Sequence, residues 1–113
     1  VDTLPHNIDD CITEALTEVD ALMRAVFAKV GGVAPTGSTL DQNGLSDGGD
    51  VVLDYLANGE PGLALEHLIY MVHEPELPIS RRTYACIEAA GNAMRMEKRL
   101  WACIRPPGDA ADG

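Results

Sequence analysis

The stretch Asn58-Gly59-Glu60-Pro61-Gly62-Leu63-Ala64-Leu65-Glu66-His67-Leu68-Ile69-Tyr70-Met71-Val72-His73 decides the fold, and Glu74-Pro75-Glu76-Leu77-Pro78-Ile79-Ser80 decides how it ends. Leu65, Leu68, Ile69 and Val72 recur at spacings of three and four, the period of one helical face. Leu63, Ala64 and Met71 add apolar bulk, so 61–73 reads as a nearly all-round apolar helix, the central one of its fold. Pro61 suits the first turn, where a missing N–H costs nothing. The prolines of 74–78 end the helix, because proline lacks the donor and pushes its predecessor out of helical geometry.

Upstream, Asn58-Gly59 closes a shorter helix over 49–58, with Ser46 or Asp47 as candidate cap. Val52, Leu53 and Leu56 form its expected core face, with Val51 or Tyr55 at the edges. A two-residue connection forces the two helices side by side as an αα-hairpin. Downstream, Ser80 caps a fourth helix reaching to about Met96, and Ile79 and Tyr84 are spaced as a hydrophobic staple. Tyr84, Ile87, Gly91 and Met94 form its inner seam. Gly91 costs about 1 kcal/mol against alanine, which predicts a closely packed neighbour. Residues 100–104, with the lone Trp101, read as a short cover.

The first helix spans 8–30: Ile12, Ala15, Val19, Leu22 and Val26 make a stripe that Ile8 and Val30 extend and that Leu16, Met23 and Phe27 widen. Asp9 and Asp10 suit the positive end of its dipole, and Gly31-Gly32 supplies the stop. No segment alternates with a period of two. The fold class predicted is all-α: a small bundle of four principal helices with a long Gly-rich loop and a short C-terminal cover segment. Residues 1–105 form one helical domain, 31–47 a flexible loop inside it, and 106–113 a disordered tail. Asp41, Asn43 and Asp47 invite a calcium-loop reading. Leu45 at the fifth position, Ser46 at the required glycine and Val52 at the closing acid defeat it.

The chain has 113 residues and a formal charge of −10, with hydrophobic residues at 46% and aromatics at only 4%, so its core must be aliphatic. Residues 1–80 hold fourteen acids against Arg24 and Lys29, a net −12; residues 81–105 hold six bases against Glu88 and Glu97, a net +4. Such a field repels phosphates and disfavours direct nucleic-acid binding. It suits either halves that attract each other or an acidic face for a basic partner. No apolar run nears the roughly 20 residues of a membrane span, and no basic-then-apolar leader opens the chain, so a soluble cytoplasmic protein is expected. Cys11, Cys86 and Cys103 form no metal-binding spacing, and two or three of them are read as small buried hydrophobes in a reducing compartment.

No nucleophile motif, phosphate-binding loop or metal signature is present, so no cofactor and no catalytic residue is assigned. Glu66, Tyr70 and His73, with His67 beside them, make the one polar stripe of the third helix. A contact surface or a solvent-facing stripe accounts for it more simply than acid–base catalysis does. Arg81-Arg82 breaks a local rule, because two cations in a first turn oppose the helix dipole. Glu74 and Glu76 are the expected neutralising partners.

The run Gly59-Glu60-Pro61-Gly62-Leu63-Ala64-Leu65-Glu66-His67-Leu68, an acidic proline loop, then Pro78-Ile79-Ser80 opening a helix with Gly91 and Met94, resembles the MafI-type immunity proteins. The resemblance implies a small cytoplasmic bacterial protein that neutralises a secreted polymorphic or contact-dependent toxin by binding it, with no activity of its own. It fixes no contact residue and leaves the toxin's chemistry open.

Two functions are therefore expected in competition. The first is an immunity protein whose acidic surface covers the basic cleft of a nuclease-type toxin domain. The second is a helical adaptor or secretion chaperone that holds an amphipathic segment of its partner in an apolar groove. The expected partner-binding residues are Glu66, Tyr70, His73, Glu74 and Glu76, with Asp54 and Glu60 on the adjoining hairpin as a second tier. The acidic face of the first helix, Asp10, Glu14 and Glu18, is the fallback. The partner is a protein; neither nucleic acid nor membrane is expected, and the oligomeric state is left open.

Overall fold

The computed structural model describes residues 4–5, 7–32, 36–38, 45 and 47–106. Five helices follow in order: α1 (Ile8–Ala28), α2 (Gly48–Ala57), α3 (Pro61–His73), α4 (Arg81–Ala93) and α5 (Arg99–Ala102). No strand occurs among the described residues, and the fold is all-α as the periodicity predicts. The flexibility expected of 31–47 and 106–113 falls largely outside the described residues. Two residues counted with those segments, Leu45 and Pro106, are buried.

Capping explains where the helices begin. Asn7 accepts a hydrogen bond from the Asp10 N–H at 2.7 Å to open α1, and Ser80 accepts one from the Thr83 N–H at 3.2 Å to open α4. The staple residues Ile79 and Tyr84 are both buried. Asp47 stands at the N-cap of α2, without a side-chain capping bond.

The four longer helices end in one way. The Gly32 N–H reaches the Phe27 carbonyl, Glu60 reaches Tyr55, Leu77 reaches Val72 and Met96 reaches Gly91, at 2.8–2.9 Å; the preceding residue closes an inner bond each time. This is the Schellman closure, and it puts the penultimate residue into left-handed backbone. Gly31 and Gly59 fill that position in α1 and α2, with φ of 75° and 73°; Glu76 (54°) and Arg95 (58°) fill it in α3 and α4. The closure at Arg95 ends α4 at Ala93, short of the expected Met96, and α1 stops at Ala28, which leaves Val30 exposed.

α3 packs against each of the other helices, as its apolar sequence predicts, while α1 and α4 make the broadest pairing. Glu18 accepts a hydrogen bond from the Ser80 N–H at 2.6 Å, and Glu14 meets Arg82 at 2.6 Å and the Cys86 thiol at 3.3 Å. Descending α1 thus ascends α4, so the pair is antiparallel. The Trp101 ring lies on Gly91, where an added Cβ would overlap it; this is the close neighbour the glycine predicts.

Two expected core residues face outward. Leu53 is 47% exposed because Gly48, Val52, Tyr55 and Leu56 face inward from α2, and Leu53 lies about 100° from Val52. Leu63 is 44% exposed because the buried arc of α3 (Ala64, Leu65, Leu68, Ile69, Met71, Val72) lies on the opposite side. α3 is two-faced, not apolar all round.

Candidate functional site

The outer face of α3 carries the polar stripe. Glu66 and His73 are exposed, Tyr70 and His67 half-buried, and the His67 and Tyr70 rings sit 5.4 Å apart in a tilted pair. The Tyr70 hydroxyl is held protonated above its ordinary range, chiefly by burial and then by the charge of Glu74 one turn on. Glu74 is half-buried, as is Pro75, and Glu76 is exposed. Leu77 is buried and ties the loop back onto Val72 through the Schellman bond. The acidic loop is therefore anchored at its apolar residue, and its carboxylates stand on a defined turn.

Not all the expected residues converge. His73 and Glu76 line one groove of about 300 Å³ with Leu77, Ile79, Ile104 and Pro106, between the α3–α4 loop and the C-terminal segment. Glu60 stands at the N-cap of α3, about 20 Å away along a 13-residue helix. Asp54 is exposed on α2, where its carbonyl accepts from the Asn58 side chain at 2.8 Å. His73 and Glu76 thus share a groove, and the other candidates stand apart from it.

Arg82 has a partner that the sequence did not suggest. It reaches across to Glu14 of α1, with a second bond at 3.1 Å. The packing of α1 on α4 brings two carboxylates to the N-terminus of α4, where they answer the arginine and the dipole together. Arg82 and Cys86 hold the Glu14 carboxyl below its ordinary value. Glu14 and Glu18 are thus engaged within the fold, and Asp10 is bonded to Asn7 at 3.0 Å. Cys11 and Cys86 are buried as expected, whereas Cys103 is exposed.

One hollow has no counterpart in the sequence reading. Asp20, Arg24, Asp47 and Asp50 line a cavity of about 310 Å³ floored by Met23 and Leu45, and burial raises the Asp20 carboxyl. Gly49 makes room there, since a Cβ would overlap the Asp20 carboxylate. The sequence signal was the Gly48-Gly49 pair at the start of α2, which by itself announces no close approach.

In comparisons with protein-family models, curated proteins and solved structures, none matches this chain. No helix among the described residues is long and apolar enough to cross a membrane.

Proposed function

We propose that this chain is an immunity protein, which binds the C-terminal domain of a cognate bacterial toxin and blocks a basic, nucleic-acid-holding cleft. What supports the reading most is Glu76. It occupies a left-handed backbone position that α1 and α2 give to glycine and α4 to Arg95, in an exposed acidic loop beside the outward stripe of α3. Non-glycine residues in left-handed backbone cluster at binding and active sites, and here the residue carries one of the loop's charges. The net charge of −10 points the same way, since acidic surfaces are steered quickly onto basic clefts. The reading makes the protein cytoplasmic, gives it no catalytic residue and agrees with the MafI-type resemblance of 58–96.

The deciding experiment is co-purification with the C-terminal domain of the reading frame directly upstream, followed by association kinetics from low to high salt. An association rate that falls with salt, while dissociation changes little, supports the proposal, because steering is screened over about 8–10 Å. A flat association rate favours the adaptor reading, whose structural support is the apolar-walled groove between the α3–α4 loop and the C-terminal segment.

A further inference from the structure

We propose that Leu63, with the His67–Tyr70 ring pair beside it, is the apolar anchor that seats the outer face of α3 in a hydrophobic pocket set within a basic surface of the partner. This rests on the proposed function and names the chemistry of the surface that Leu63 meets.

Single exposed leucines are ordinary, and it is the alignment that distinguishes this one. At about 100° per residue, Leu63, Tyr70 and Glu74 fall within about 40° of one another on α3, with His67 about 40° to one side and Glu66 about 60° to the other. The spacing 63, 67, 70, 74 repeats the four-three-four pattern of a buried helix face, here on the side turned away from the core. Leu63 is 44% exposed, and the rings of His67 and Tyr70 touch at 5.4 Å. An aliphatic and aromatic line flanked by charges is the layout of an interface hot spot: the anchors exclude water and the rim selects the partner.

The charge selects the occupant. Glu66 borders the line, and Glu60 and Glu76 stand exposed beyond its two ends, on a chain of net −10, so a basic surface is attracted and a second copy of this face is repelled. The anchor protrudes from a convex helix, so the partner must supply the hollow.

The test measures binding of the full chain to the upstream toxin's C-terminal domain. Leu63→Ala is expected to raise the dissociation rate roughly tenfold, as loss of an anchor does, with the association rate, its salt dependence and the thermal midpoint unchanged. Leu63→Met, which keeps the apolar reach, is expected to restore slow dissociation. Capture of the wild type with an unaltered dissociation rate for Leu63→Ala overturns this proposal alone. Failure of the wild type to bind overturns both the proposal and the function it rests on. Sedimentation of the chain alone as a dimer that Leu63→Ala disperses makes the occupant a second copy and overturns the assignment.

Discussion

Replacing Glu76 by glycine separates stability from binding. Glu76 has φ of 54° and closes α3 through the Leu77-to-Val72 bond at 2.9 Å, so the turn must survive the change. A side chain in left-handed backbone costs about 1–2 kcal/mol, because Cβ crowds the following carbonyl. Glycine removes that cost but brings roughly 0.5–1 kcal/mol of extra freedom to the unfolded chain. The balance is a gain of about 0.5–1 kcal/mol, or a rise in Tm of about 2–5 °C for a domain of this size. Urea unfolding followed by helical circular dichroism measures it, and the denaturant slope must stay constant for the comparison to hold. The same variant loses a carboxylate from the acidic loop and is expected to bind the toxin domain more weakly. A less stable Glu76→Gly refutes the strain argument. A more stable one that binds as tightly as the wild type shows that the side chain does not contact the partner.

Gly91→Ala pushes a methyl into the buried Trp101 ring; overpacking of about 1–3 kcal/mol exceeds the roughly 1 kcal/mol of helix propensity gained, so stability falls and the single-tryptophan fluorescence shifts. An unshifted spectrum with raised stability refutes it. Alkylation of the folded chain is expected to label Cys103 alone, since Cys11 and Cys86 are buried; rapid labelling of a second thiol contradicts the packing of α1 on α4. Burial, first, and the bond to Glu14 push the Cys86 thiol up to about 12 from an ordinary 9.0. The unfolded chain therefore ionises first, so this share of stability is complete below pH 9 and lost between pH 9 and 12; Cys86→Ala is expected to flatten that decline. Arg82 holds the Glu14 carboxyl down, so its contribution is complete above pH 4.5 and lost as pH falls below it; Glu14→Gln is expected to make acid unfolding less steep.

Helix periods, caps and breakers were legible because each acts within a few residues. Ser80, Ile79 and Tyr84 specify the start of α4 by themselves, and the cost of Gly91 announced a neighbour without naming Trp101. Facing was harder to read. Leucine looks the same on either side of a short helix, and only the docking of α2 and α1 on α3 shows that Leu53 and Leu63 lie outside the buried arcs. The partner of Arg82 was not legible either, since Glu14 is 68 residues away while Glu74 is eight. Nor does a glutamate after a proline announce a left-handed residue. That conformation is imposed by the closure of α3 and the burial of Leu77.

The Glu14–Arg82 pair also ranks the acidic surfaces. A carboxylate meets a partner at full strength only if it need not first abandon a bond within its own fold, and charge-assisted bonds are the most costly to abandon. Glu14 holds a bidentate arginine and Glu18 holds the N–H of Ser80, the N-cap of α4, so two of the acids of α1 are spent on joining the two halves of the chain. Glu66 and Glu76 stand exposed on α3 and its loop, above a core that holds the helix in place. The opposite charges of residues 1–80 and 81–105 thus serve two ends. Part of the acid neutralises α4 from α1, and under the proposed function the part carried by α3 faces the partner.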